Sequence, residues 1–384
     1  LGQYVLFVSL VLGAQLIIRF GSDQYVLRET SKSSITSGAY SNVPIKSAVL
    51  FALHNSLIVV AVGVCLFLIF SNYLEQKLTI IIITALLFAP IFTVTSFYAP
   101  YLRAKQRSEF SPIWEQSGIS LLTLFVLLIY SRFEPLTIWS SITVFVALSC
   151  LLAIYPIALQ SPQHQGWRDV ARGSRFFGVQ QIAQYFSTTL VLVICGLLFS
   201  EEALANLSTA QRLSLLISFP LIVMNAVTAP KFATMFAAKQ LVELKVYAWR
   251  TSETATILAL IVATPLLFFS EELLATLFGA PFVDAALDLK ILTCAQFFNV
   301  LTGSSLTLLN MSGYSRLSMY IALATAVFAI ALVTISLLLN ELRFLGTTLA
   351  SSLVLSNLLA LIACKKTLGF FPSIPFFWRI IKNA

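Results

Sequence analysis

Four basic side chains stand inside, or at the ends of, long apolar runs: Arg19, Arg28, Arg212 and Lys290. A charge in such a run is costly, so by default it faces a cavity or a partner. Arg offers a planar fork that grips oxyanion oxygens in pairs, whereas Lys acts as a point charge. Arg212 lies about two turns in from the polar end of its run and is the leading cavity candidate. Arg19 and Lys290 sit shallow enough to snorkel to a polar interface, which is the competing reading for both. Arg28 reads as an anchor of the loop that follows it. A second group is uncharged. Gln180, Gln181, Gln184, Ser187 and Thr188 recur at three- and four-residue spacing, so one helix face carries them, with Tyr185 beside it. Amides and an aromatic ring suit a sugar, and hydrogen bonding between helices is the other use of such a face.

Other chemistries find no constellation. Cys65, Cys150, Cys195, Cys294 and Cys364 fall in or at the ends of different apolar runs, without Cys-x-x-Cys or Cys/His spacing. Neither a metal, nor a redox centre, nor a cofactor is expected. His54 reads as a hydrogen-bonded interior residue ahead of a proton shuttle, and Glu115 as a solvated helix end. With no catalytic grouping, an enzyme is not expected.

The elements that must position these residues are membrane helices. The chain of 384 residues is 58% hydrophobic and 10% charged, with a mean hydropathy of +0.91. A soluble domain carries roughly 25% charged residues. Runs such as Ser47–Phe70 and Leu78–Pro100 reach the length of about 20 residues that a helix needs to cross the hydrocarbon. The alternation of a barrel strand is absent. Eleven spans are expected, at 1–20, 47–70, 78–100, 112–130, 137–159, 176–200, 205–229, 253–270, 287–310, 315–339 and 345–364. The longest connection, between the first two, is too short for a soluble catalytic domain.

The net charge of +8 reports topology rather than a nucleic-acid partner. With loops assigned alternately inside and outside, starting inside after the first span, only Lys77, Arg132 and Arg343 fall outside. The inner loops take Arg103, Lys105 and Arg107, then Arg168, Arg172 and Arg175, then Lys231, Lys239, Lys245 and Arg250, with Arg28, Lys32, Lys46, Arg316 and four basic residues near the C-terminus. This is the positive-inside pattern.

On this map Leu1 lies outside, so one earlier helix is expected. An internal echo agrees. Leu102-Arg-Ala-Lys-Gln-Arg-Ser108 and Leu309-Asn-Met-Ser-Gly-Tyr-Ser315 share L-x-x-x-[QG]-x-S, both follow a span, and both face inward. They correspond if a helix precedes the first span, which makes the chain 6+6 with the first helix missing. The expected organisation is an N-terminal lobe 1–159, a cytoplasmic linker 160–175, a C-terminal lobe 176–371 and a cytoplasmic tail 372–384. Parallel repeats of this kind are a transporter pattern, with substrate held between the lobes.

Several stretches carry a family resemblance: Gly2-Gln-Tyr-Val-Leu-Phe7, Arg19-Phe-Gly-Ser-Asp-Gln-Tyr-Val-Leu-Arg-Glu29, Leu207-Ser-Thr-Ala-Gln-Arg-Leu213, Leu277-Phe-Gly279 with Lys290, and Leu309-Asn-Met-Ser-Gly313. In order and spacing they resemble the polysaccharide (O-antigen-type) flippases of the multidrug/oligosaccharidyl-lipid/polysaccharide exporter superfamily. The resemblance implies a two-lobed, alternating-access transporter of the bacterial inner membrane, with its C-terminus cytoplasmic. It implies a polyprenyl-pyrophosphate oligosaccharide as substrate, membrane lipid as partner, and H+ or Na+ as the ion if transport is coupled. The pyrophosphate would fall to Arg212, Lys290 and Arg19, and the glycan to Gln180, Gln184 and Tyr185. Some relatives carry an acidic residue where this chain has Thr188-Thr189, which weakens ion coupling at that point. The rivals are an ion-coupled small-molecule antiporter of the same fold, which needs a buried carboxylate, and a saccharide polymerase, which needs clustered outer arginines.

The span map has a direct test. A reporter active only in the cytoplasm should be active when fused after Arg107, Arg172 or Lys245, and silent after Lys77, Arg132 or Glu202. Reversal at any two sites would overturn the map.

Overall fold

The computed structural model describes residues 11, 13–36, 45–70, 76–105, 107–114, 125–126, 166–190, 201–339 and 344–373. These residues are helical, with no strand among them. The helices are α1 (13–19), α2 (Ser22–Thr36), α3 (Ile45–Phe70), α4 (Gln76–Ser96), α5 (Tyr98–Ala104) and α6 (Trp167–Tyr185). They continue with α7 (Glu201–Ala237), α8 (Leu241–Phe268), α9 (Ser270–Phe278), α10 (Ala286–Leu301), α11 (Ser305–Met311), α12 (Ser315–Leu338) and α13 (Phe344–Leu368). Among the described residues, six stretches are long and apolar enough to cross a membrane: Ile45–Cys65, Ile82–Ala104, Ala205–Ala237, Leu241–Phe268, Ser315–Leu338 and Leu345–Leu368. A seventh is broken, Ala280–Leu301 and Ser305–Met311 meeting at 41°. The chain is an all-α polytopic membrane protein. The expected spans at 112–130 and 137–159 lie almost wholly outside the described residues.

Two compact units divide the chain, residues 1–179 and 180–384, with the division inside α6. In the first, Ile18, Val26, Ile45, Ala48, Phe92, Phe97 and Phe177 form the core. Asn55, an unexplained polar residue in the sequence, donates its amide to the Ile18 carbonyl at 3.1 Å and so joins α3 to α1. In the second unit Ala255, Ala259 and Ala263 of α8 are buried at four-residue intervals. Small side chains allow close helix approach where lipid gives no hydrophobic drive for association. Ile257, Leu258, Leu260 and Ile261 of the same helix are exposed, as a lipid-facing surface requires.

Hydroxyl groups inside the spans are largely used within their own helices. Thr256 donates to the Ser252 carbonyl at 2.8 Å, Thr264 to Leu260 at 2.7 Å, and Thr334 to Ile330 at 2.9 Å. Such back-bonding satisfies the hydroxyl without a ligand.

The echo between residues 102–108 and 309–315 is a repeated piece of structure. Leu102 and Leu309 lie in α5 and α11, each a seven-residue helix that follows a break in a span. The Arg107 N–H donates to the Leu102 carbonyl and the Tyr314 N–H to the Leu309 carbonyl, both at 2.9 Å. This is the six-to-one bond that closes a helix C-terminus, and Gly313 supplies its left-handed residue at φ +88°.

The span expected at 287–310 is interrupted because Thr302–Ser304 turn the backbone. Gly303 takes φ +67°, and a Cβ there would stand 2.9 Å from both the Pro372 carbonyl and Ser252 Oγ. Gly313 has only the φ constraint, with nothing within 4 Å. Gly313→Ala should therefore cost about 1–2 kcal/mol, the left-handed penalty of an L-residue. Gly303→Ala should cost more, because a backbone carbonyl must also move. Thermal unfolding of both variants in detergent checks this ordering; equal losses would mean that Pro372 and Ser252 of α8 do not pack closely on the break.

Candidate functional site

In the first unit the site grows from a kink. Phe20 and Gly21 adopt φ +42° and +74°, turning α1 into α2. A left-handed Phe is an outlier, and close packing against α6 holds it. A Cβ on Gly21 would overlap the Gly178 N and Phe177 Cβ, one on Gly173 would overlap the Tyr25 ring, and one on Gly178 would come 2.7 Å from the Phe20 carbonyl. Three glycines thus let backbones touch where the charges begin.

The kink sets Arg19 beside Asp23, with NH1 3.8 Å from the carboxylate. Arg103, from the end of α5, lies within electrostatic reach of both, and its Nε donates to Ser111 Oγ at 3.2 Å. One carboxylate therefore lies near two guanidinium groups. Arg19 Nε is buried with no hydrogen-bond partner among the described residues, so the cluster retains a free donor. Sequence reading found Arg19 but placed Arg103 among loop charges and passed over Asp23. The four-residue spacing of Arg19 and Asp23 in the sequence was the available signal.

Arg28 stands inside α2 and is engaged by its neighbours. Its Nε donates to Glu29 at 2.9 Å, Lys32 reaches the same oxygen at 3.4 Å, and its guanidinium lies 5.1 Å from the Phe177 ring centroid. His54 is corrected: it is exposed, not interior, with its ring 5.1 Å from that of Trp167. Glu115 lies outside the described residues.

In the second unit Arg212 projects from the exposed side of α7 beside Leu215, Leu216 and Phe219, while Ala210, Ser214 and Ile217 are buried on the other side. It makes no ion pair among the described residues. Lys290 does: its Nζ lies 3.4 Å from Glu271 of α9, so its charge is compensated at the end of the span. Asp288, which sequence reading did not single out, stands in the first turn of α10. Its carboxylate presses on Gly346 in the first turn of α13 and has no ion-pair partner among the described residues.

The polar stripe on α6 is divided. Gln180 and Ser187 are buried, Gln181 and Gln184 half-buried, and Thr188 and Tyr185 exposed. Ser187 donates to Ala183 and Thr188 to Gln184. Ala183 packs against Ala322 and Ala326 of α12. A π-turn follows at Phe186–Leu190; such bulges often mark functional sites. Gln180 Oε1 is buried without a hydrogen-bond partner among the described residues. Gln180, Gln184 and Tyr185 thus do not present one continuous surface.

The shared carboxylate has a testable consequence. Asp23→Asn should destabilise the protein by about 1–3 kcal/mol, since it removes the carboxylate that pairs with half-buried Arg19 and whose charge is felt by Arg103. Adding Arg103→Gln should restore part of the loss, which thermal unfolding of the single and double variants measures.

Comparison with known proteins adds the following. The family model described as polysaccharide biosynthesis protein matches residues 1–236, and the MatE model matches residues 177–335. No curated protein sequence matches. Among solved structures, a MATE protein in its straight conformation is similar at TM-score 0.74 and 13% identity, over 96% of this chain and 88% of that one. A MOP-superfamily transporter from Pyrococcus furiosus, whose binding pocket of reverse polarity suggests a different function, gives 0.73 and 11% over 96% and 87%. A Vibrio cholerae MATE transporter mutant gives 0.70 and 14% over 96% and 88%. At these identities the likeness is one of fold. The chain belongs to the polysaccharide biosynthesis protein family, and its fold is that of the MOP-superfamily transporters.

Proposed function

We propose that this protein is a flippase that moves a polyprenyl-pyrophosphate-linked oligosaccharide across the bacterial inner membrane by alternating access, with its C-terminus cytoplasmic. The observation that carries the reading is Arg212, an arginine on the exposed face of a membrane span with no compensating carboxylate among the described residues. An uncompensated guanidinium in such a span calls for an anionic partner, and a pyrophosphate presents oxygens that its fork can grip in pairs. The Arg19–Asp23–Arg103 cluster, with Arg19 Nε buried and without a hydrogen-bond partner among the described residues, adds a second centre with basic groups. The match of the polysaccharide biosynthesis model over residues 1–236 supports the substrate class. Gln184 and Tyr185, partly accessible on α6, are the groups we assign to the glycan. Lys290, engaged by Glu271, has the weaker claim. The proposed lobes run over 1–159 and 176–371, joined by 160–175, and no catalytic step is assigned.

A second reading is favoured by Asp288. It is an acidic group within the broken span, without an ion-pair partner among the described residues, as an ion-coupled small-molecule antiporter needs. The MatE match over residues 177–335 includes it. Coupling to H+ or Na+ would act there by charge neutralisation of one carboxylate.

Export of surface glycan in a strain dependent on this chain separates the readings. Arg212→Ala should abolish export while the protein still accumulates, Arg212→Lys should retain part of it, and Arg212→Glu should be at least as damaging as Ala. Normal glycan in a well-expressed Arg212→Glu strain would remove Arg212 from the site. Loss of drug efflux in Asp288→Asn, with Arg212→Glu active, would establish the antiporter instead.

A further inference from the structure

The transport reading leaves the first three turns of α6 unused. On this stretch Val170, Ser174 and Phe177 are buried against the first unit, and Arg168, Arg172 and Arg175 are exposed. Their spacing of four and three residues puts the arginines on one side of the helix, over about 10 Å of axis. One carboxylate interrupts them: Asp169 lies 4.0 Å from Arg172 in a pair open to solvent, where it screens little. The arginines lie against aromatic rings, Arg168 at 5.5 Å from Trp167 and Arg175 at 4.5 Å from Phe176. Trp167 is 40% exposed and meets His54 on α3. His54 stands between Leu53 and Leu57, which together with Leu50 form an exposed apolar face of a membrane span.

We infer that Arg168, Arg172 and Arg175 form a binding site for the headgroups of anionic phospholipids, whose acyl chains lie along the Leu50–Leu53–Leu57 face of α3. Two features select a lipid over a free phosphate. The cationic row is continuous, through Trp167 and His54, with an apolar surface that has no use for a soluble anion. Trp at the junction is the residue that membrane interfaces favour. Each basic residue near an anionic leaflet raises the local lipid population roughly fivefold, so three of them, moderated by Asp169, amount to a tenfold or greater preference over a zwitterionic lipid. The site is independent of Arg212 and of the transported molecule.

The purified full chain in detergent, titrated with phosphatidylglycerol and separately with phosphatidylcholine, tests the proposal by native mass spectrometry of the lipid adducts. Wild type should retain phosphatidylglycerol about tenfold more tightly than phosphatidylcholine. R168Q/R172Q/R175Q should lose most of that preference, R168K/R172K/R175K should keep most of it, and K365Q/K366Q, altering a different exposed basic pair, should leave it unchanged. Retention by the triple Gln variant equal to wild type would overturn the site, as would an equal loss in K365Q/K366Q. Inorganic pyrophosphate should not displace the lipid at comparable concentration; displacement would reassign the row to a phosphate group as such and overturn the lipid proposal.

Discussion

A peptide group in hydrocarbon has no water to bind, and most of this structure answers to that constraint. Spans such as Ala205–Ala237 and Leu241–Phe268 stay helical through Pro220, Pro230 and Pro265, which have no N–H to donate, and threonines such as Thr256 and Thr264 donate to carbonyls of the preceding turn. Where the helix does stop, at Thr302–Ser304, local groups close the break. Thr302 donates to the Asn299 carbonyl at 2.7 Å, Ser305 donates to Thr302 at 2.8 Å, and the Ser305 carbonyl accepts from the Cys364 thiol at 3.4 Å. A break in a span is tolerable only when protein surrounds it. The Pro372 carbonyl and Ser252 approach so closely at Gly303 for that reason.

The same constraint sorts the charges. A charged group that cannot reach water must have a partner, and the structure supplies Asp23 to Arg19 and Glu271 to Lys290. Among the described residues of the second unit, Arg212 and Asp288 have no such pair, one a cation and one an anion, each within a candidate span.

Close backbone contact is the device that builds the first of these centres. Gly21, Gly173 and Gly178 remove the side chains that would hold α2 and α6 apart, and the left-handed Phe20 turns Arg19 toward Asp23. Any side chain at those glycines would separate the helices and move the charges with them.

By itself the sequence determined the membrane class, the helical state of the spans, the basic candidates and the repeated element at Leu102 and Leu309. These depend on run length, on charge and on spacing along one helix, all of which are local quantities. Only the tertiary structure decided which charges are neutralised, because Glu271 lies nineteen residues from Lys290 and Arg103 some eighty residues from Asp23 in the chain. It also decided that the five-residue polar stripe on α6 does not present one face, since Gln180 and Ser187 are buried while Thr188 is exposed: which side of a helix is covered depends on what packs against it, as α12 does at Ala183. The burial of Asp288 against Gly346 was equally out of reach, since a side chain's surroundings are set by the helices that pack on it rather than by its neighbours in sequence.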